Sequence, residues 1–551
     1  MKDRVIYLVI IILAILAHLA GLLSDLFISD SALYASIAKE MALSNNFLEL
    51  TFDGVDWLDK PHFPFWITAI SFKIFGLNVF AYKLPAILFT LLALLYTYKL
   101  AKELYNRETA LLAVLILATA EHLVISNNDV RAEPYLTGLI IASIYYYHRL
   151  VREFKLVPLL LASFFGGLAV MTKGLFTLVP IVGAVGGELI IKRNWKVVLS
   201  WRWVFSVGLI ILFISPELYS LYQQFDIHPE KVVFGRTGVS GIRFFLWDSQ
   251  VGRFFNTGPI KGNGDPFFFL HTLLWAFLPW AILMYYSLFR KIRDNLPKLR
   301  SHQEFYTLAG ALFTLLVFSF SRFQLPHYSN ILFPLLAIIT ADFVQKEFSR
   351  AETRFYFISQ WANISLILCL LLLIHFLFKS GKASIPAIAG FFLVAAAVIL
   401  VLRSGPTQKM KVFYYSCLVS ILLNFYLNLI FYPKLLDYQS GTKAAEYANE
   451  NHPGENIETI GVLSFTIHFH ADAEVHDNPD MDKLLAKTMG DCLLFTRESY
   501  LDSLDMHQLN YQVLKSFDHY HTTMVTGTFL NHKTRMEALQ KNYLLSVSPL
   551  N

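Results

Sequence analysis

The run "VIYLVIIILAILAHLAGL" at residues 5–22 is followed at residues 27–41 by "FISDSALYASIAKEM", and how these are read decides the fold. About 20 consecutive apolar residues are enough to cross a bilayer. The second stretch then places an aspartate just beyond the membrane, at the head of a short helix with apolar residues at helical spacing. Asp is a favoured helix cap, so a capping role for Asp30 needs no further explanation. A carboxylate at this depth is also a candidate for chemistry.

The rest of the chain repeats the first signal. Of 551 residues, 55% are hydrophobic and 16% charged, against about a quarter charged in ordinary soluble domains. Mean hydropathy is +0.48. Apolar runs predict about thirteen membrane helices, near residues 5–24, 81–101, 108–126, 133–150, 156–172, 174–191, 203–220, 267–290, 304–321, 326–344, 359–379, 385–403 and 411–432. Only "TKG" divides the pair at 156–172 and 174–191. The expected fold class is a polytopic α-helical membrane protein with a small C-terminal soluble α/β domain. The first run is longer than the apolar core of a cleaved signal peptide and reads as an anchor.

Orientation follows from basic residues in short loops. With the N-terminus inside, "KELYNRE", "HRLVREFK", "IKRNWK", "RKIRDNLPKLR", "QKEFSRAETR" and "RSGPTQKMK" all fall inside. Roughly twenty basic residues then face the cytoplasm and about five the opposite side. The N-terminus is expected in the cytoplasm and the C-terminal tail outside. These loops explain the net charge of +5, and nothing points to nucleic acid. Cys369 and Cys417 fall in apolar runs and Cys492 is alone in the tail, so no disulfide framework is expected.

Two outside loops, 25–80 and 221–266, are long enough to carry function. In the first, "FPFWITAISFKIFG" is too short to span and reads as a helix lying on the surface. Three regions result: 1–345, a membrane module with both loops; 346–432, further membrane helices; and 433–551, a soluble domain. In the last, "SGTKAAEYANEN" reads as a helix, "IETIGVLS" and "TIHFHADAEV" as strands, "MDKLLAKTM" as a helix and "CLLFT" as a strand.

Charges at membrane depth are costly and mark function unless paired or interfacial. On the expected outer side they gather as Asp30, Asp59 and Lys60 in "LDKPHFPFW", Asp129, Arg131 and Glu133 in "NNDVRAEP", Lys173 in "MTKG", Arg253 in "WDSQVGRFFNTG", and Arg322, His327 and Tyr328 in "SRFQLPHYSN". Both signs on one side suggest an outward-facing polar cavity. A carboxylate there takes a proton from an acceptor, while cations neutralise a departing phosphate.

In order and spacing, "ISDSALYASIAKEM", "LDKPHFPFWITAISFKIFG", "AYKLPAIL" and "QLPHYSNILFP" resemble the GT-C glycosyltransferases related to protein O-mannosyltransferases. Within that group the likeness is to the bacterial aminoarabinose transferases that modify lipid A. The resemblance implies transfer of a sugar, with inversion, from a polyprenyl (undecaprenyl) phosphate donor to a hydroxyl or phosphate acceptor. Lipid A or another envelope glycan is the implied acceptor, at the periplasmic face of a bacterial inner membrane, and no cofactor is implied. It makes Asp30 the base, with Glu133 or Asp129 as a second acid. It makes Lys60 a phosphate ligand, Asp59 its acidic neighbour, Tyr34 a tyrosine one turn after the base, and Arg253 and Tyr328 groups near the phosphate.

Several positions depart from that pattern. Ser31 stands where many relatives carry a second acid, and Leu33 where they carry an arginine. Ser249 and Gln250 replace a Glu-His pair, so no metal site is expected there and the sugar is left open. A transporter or flippase of a lipid-linked sugar, or a protein O-glycosyltransferase, would use a similar cavity. Lys173 and Arg322 read as interfacial anchors. His468, His470 and His476 lack the spacing of a zinc set.

Overall fold

The computed structural model describes residues 2–27, 30–295, 303–487, 492–507 and 509–548. A bilayer offers no partner for an unpaired backbone amide, so apolar runs close their hydrogen bonds internally as helices. Among the described residues eight helices are long and apolar enough to cross a membrane, from Arg4–Leu23 to Gln408–Leu436. The bent pair Arg107–Ala118 and Glu121–Asn128, 50° apart, makes a ninth if it is one span. The chain is a multi-pass membrane protein.

Some expected helices are interrupted. The 108–126 run breaks where Thr119 Oγ1 donates to Leu115 O at 2.6 Å and Glu121 N turns away to Leu278 O at 3.1 Å. The 267–290 run divides into Phe268–Ala276 and Ala281–Asn295, because Pro279 between them has no amide to continue the ladder. The 174–191 run opens with a 3₁₀ turn, Leu175–Leu178, and continues as Val179–Ile191, while 304–321 contracts to Tyr306–Ser319.

Helix Val79–Leu104 packs closely on Glu133–Arg152. Gly138 makes this possible, since a Cβ there would lie 2.4 Å from Phe89 O. In the first loop, helix Asp30–Ser44 packs on helix Phe63–Phe75, with a small antiparallel hairpin of Thr51–Phe52 and Val55–Asp56 between them. The second loop carries short helical segments at Tyr222–Asp226, Gly241–Arg243, Phe244–Gly252 and Arg253–Phe255.

The C-terminal domain holds a five-stranded mixed sheet. Strand Ile457–Ile460 pairs in parallel with Val475–Asn478 and Cys492–Arg497, and Gln540–Ser548 pairs antiparallel with Cys492–Arg497 and Asn510–His519. Ile457, Leu493, Phe495 and Leu544 pack with Ala444, Ala445 and Ala448 of helix Ser440–Asn451.

Two strand readings are corrected. "IETIGVLS" ends as a strand at Ile460, because Gly461 takes φ +68°. "TIHFHADAEV" contains a helical turn, Phe465–His470, before strand Val475–Asn478. Thr466, Ile467, His468 and Phe469 are all buried, so the polar alternation was not that of a half-exposed strand.

That turn docks the domain onto the first loop. Lys39 Nζ donates to His468 O, Phe469 O and Ala471 O at 3.0, 3.0 and 2.6 Å. These carbonyls are the unsatisfied, electronegative end of the helical turn, where a cation is favoured. Asp477 N donates to Asp53 Oδ2 at 2.9 Å, and Gln439 Nε2 to Leu26 O at 2.7 Å. The domain therefore grips the chain on both sides of Asp30 and just before Asp59.

Candidate active site

Each candidate side chain is aimed by its local backbone. Asp30 lies in the first turn of its helix. Asp59 and Lys60 precede Pro61, which favours extended backbone at the residue before it. The next residue is fixed firmly: His62 N donates to Glu217 Oε2 at 2.9 Å, its Nδ1 lies 3.1 Å from Glu217 Oε1, and its Nε2 lies 3.2 Å from Leu48 O. Both side chains are fully buried.

Lys173 ends helix Leu156–Lys173, where Gly174 takes φ +94°. Gly174 is needed for space as well as for its angle, because a Cβ would lie 2.2 Å from Gln250 Nε2. Gln250 donates to Lys173 O at 3.0 Å and accepts from Phe176 N at 3.3 Å. Gln250 is thus an amide engaged in fixing a helix end.

Asp30, Tyr34, Asp59, Lys60, Arg131, Glu133, Lys173, Arg253, His327 and Tyr328 line one cavity of about 510 Å³, open mouth included. It adjoins a second space, about 700 Å³ with its open mouth included, walled by Phe176, Phe254, Phe269, Phe318 and Ile331, with Glu133, Lys173, Arg253, Phe323 and Tyr328 shared between the two. A polar chamber thus opens into an aromatic groove.

The charges are arranged in linked pairs. Arg131 Nη1 donates to Asp30 Oδ2 at 2.6 Å and its Nε to Asp129 Oδ2 at 3.0 Å. Asp59 accepts from Lys60 on one carboxylate oxygen and from Arg253 on the other. Lys173 donates to Glu133 Oε1 and its Nζ sits 3.5 Å from the Tyr328 ring centroid. His327 Nε2 lies 3.9 Å from Glu133 Oε2, an oxygen with no hydrogen-bond donor.

Two buried carboxyls end on opposite sides of the usual range. Burial raises the Asp59 carboxyl, but Lys60 and Arg253 outweigh it and leave the group below the usual range. Asp129 is pushed up by burial, which the single guanidinium of Arg131 does not offset. Asp59 is thus held as an anion, whereas Asp129 is less ready to ionise.

Asp129 does not line the cavity and backs Arg131 instead. The reading of Lys173 as an anchor is corrected, since a buried carboxylate at the head of the neighbouring helix holds it inside the chamber. Arg131 and His327 also belong to the chamber, although neither had an assigned role. A lone Glu133 at the end of an apolar helix needed a counter-charge, and that requirement was the signal for Lys173. Arg322 is exposed, and its amide donates to Phe254 O at 3.0 Å.

The three tail histidines do not form a metal set. His468 Nε2 lies 3.1 Å from Asp477 Oδ1, His470 Nε2 2.9 Å from Asp25 Oδ1, and His476 Nδ1 3.2 Å from Asp53 Oδ1. Among the described residues no group of three metal-ligating side chains occurs.

The whole fold has a solved counterpart. The crystal structure of ArnT from Cupriavidus metallidurans bound to undecaprenyl phosphate superposes with a TM-score of 0.74, covering 99% of this chain and 97% of that one at 16% identity. The chain has the GT-C fold. Within it, residues 59–219 match the dolichyl-phosphate-mannose-protein mannosyltransferase family. An uncharacterized protein of Aquifex aeolicus is 26% identical over 355 residues, 64% of this chain and 66% of that protein. The undecaprenyl phosphate-alpha-4-amino-4-deoxy-L-arabinose arabinosyl transferase 1 of Pseudomonas fluorescens is 27% identical over 354 residues, 63% of this chain and 59% of that enzyme. The chain thus spans less than two thirds of the length of the curated relatives it matches.

Chemically, Lys60 and Arg253 can hold an anionic group in the chamber. The Asp30 carboxylate beside them can accept a proton, and the aromatic walls of the groove suit an apolar ligand.

Proposed function

We propose that the protein is an integral membrane glycosyltransferase that moves a sugar from a polyprenyl (undecaprenyl) phosphate to a hydroxyl or phosphate of lipid A or another envelope glycan. The observation that supports this most is the convergence of Asp30 and the Asp59, Lys60 and Arg253 cluster on one chamber at the mouth of an aromatic groove. The polyprenyl tail lies in the groove, with its phosphate against Lys60 and Arg253, and the acceptor approaches beside Asp30.

Asp30 takes the acceptor proton as the acceptor oxygen attacks the anomeric carbon from the face opposite the phosphate. The bond from that carbon to the phosphate oxygen breaks, and its electron pair leaves with the lipid phosphate. Configuration inverts in this single displacement. Fixed cations aimed at developing charge are a strong source of rate acceleration, and Lys60 and Arg253 supply them. Tyr34 and Tyr328 shape the chamber walls, and Arg131 orients Asp30 through its 2.6 Å hydrogen bond.

The basic bias of the inside loops supports placing the chamber and the C-terminal domain at the periplasmic face of a bacterial inner membrane, with a cytoplasmic N-terminus. Ser249 and Gln250 argue that donor or acceptor differs in detail from those of the aminoarabinose enzymes. Mass spectrometry of lipid A and envelope glycans, with and without the gene, tests the reading. A mass difference of one sugar is expected, and identical envelopes under expressing conditions would refute it.

A further inference from the structure

Asp59 is an acid inside the site that must hold a phosphate, and it occupies both cations that would do so. One carboxylate oxygen takes Lys60 and the other takes Arg253. The Arg253 Nε is left buried with no hydrogen-bond partner, so the guanidinium keeps a free donor while Asp59 is engaged.

The proposed transfer changes the charge on the lipid phosphate. The donor is a phosphodiester with one negative charge. When the sugar leaves, the bridging electron pair stays on phosphorus-bound oxygen while the acceptor proton goes to Asp30. The spent lipid is then a monoester carrying about −1.5 to −2, with its second pKa near 6. Against two cations and one fixed anion, the donor makes a neutral cluster. The product leaves an excess of close to one negative charge.

We infer that Asp59 is a positioning residue that discriminates between the two lipid phosphates, holding Lys60 and Arg253 in register for the monoanionic donor and weakening the hold on the dianionic product. It thereby speeds release of spent carrier, a step that often limits turnover. This inference rests on the polyprenyl-phosphate reading above.

The test uses the full chain in detergent and two probes with the same short polyprenyl tail, a monophosphate and its monomethyl phosphodiester, titrated calorimetrically at pH 8. The wild type is expected to bind the diester at least as tightly as the monophosphate, although the latter carries more charge. In Asp59→Asn the preference should shift by at least tenfold toward the monophosphate, since one unit charge at about 4 Å in a medium of effective permittivity about 20 is worth roughly a thousandfold. Asp59→Glu should keep the wild-type ratio.

Equal weakening of both probes in Asp59→Asn would show a purely structural role and overturn the inference. So would a tenfold wild-type preference for the monophosphate, which needs no variant to be measured. Failure of the wild type to bind either probe would instead overturn the polyprenyl-phosphate reading itself.

Discussion

Lys173→Met is the substitution whose cost follows most directly from the geometry. The Glu133 side chain is 1% exposed and that of Lys173 19% exposed. Glu133 Oε2 already lacks a donor, and His327, at 3.9 Å, is too far to take over from Lys173. Removing one partner of a buried ion pair costs about 3–5 kcal/mol, because the other charge is stranded. Since Lys173 keeps some contact with water, the lower end, about 3 kcal/mol, is expected. Replacing both partners by neutral groups of similar shape is far less costly. Thermal unfolding in detergent, followed by tryptophan fluorescence, should therefore show a fall of several degrees in Tm for Lys173→Met. Most of that should be recovered in Glu133→Gln/Lys173→Met. A single variant as stable as the wild type, or a double variant no better than the single, would refute the pairing as the reason Lys173 is held inside.

Lys60→Ala and Arg253→Ala should each weaken binding of a polyprenyl monophosphate by roughly ten- to a hundredfold, the worth of a charge-assisted hydrogen bond; calorimetry showing unchanged affinity would remove them from the phosphate site. The docking of the C-terminal domain should fail in acid. Burial raises Asp25, but His470, reaching across from the docked domain, leads the contacts that leave it below the usual carboxyl range. A depressed folded pKa stabilises above the unfolded value, near 4, and that stability is lost as pH falls through the folded value. Limited proteolysis at the junction near residue 437 should be slow at pH 5–8 and accelerate below about 4; a pattern insensitive to acid would contradict this. Sugar transfer should persist in excess chelator, because protein cations face the phosphate and Gln250 is engaged in fixing the end of a helix; complete loss restored by a divalent ion would contradict that.

The parts of the fold legible in the sequence were those set by local chemistry. Apolar runs announced helices because a bilayer allows little else, and Asp30, Asp59, Lys60, Glu133, Arg253 and Tyr328 stood out because charge and hydrogen-bonding groups at membrane depth need a reason. All of these line one chamber. What local pattern does not carry is which charges meet. Arg131 reaches back 101 residues to Asp30, and Lys173 reaches 40 residues to Glu133. These pairings depend on which elements lie side by side, helix Leu156–Lys173 against helix Glu133–Arg152 among them. The same limit explains the misread segment "TIHFH", whose alternating polarity imitates a strand. Its backbone is helical, and Lys39, more than 400 residues earlier, donates to the carbonyls at its end.

The measurement that bears most directly on the proposed chemistry is sugar transfer by purified Asp30→Asn, compared with the wild type on a polyprenyl-phosphate-linked sugar and lipid A. A general base contributes about 10²–10⁴ in rate. Transfer should therefore fall by roughly a thousandfold while the affinity for polyprenyl phosphate stays within about threefold. Undiminished turnover in Asp30→Asn would contradict Asp30 as the base and favour a carrier that moves the lipid-linked sugar without cleaving it.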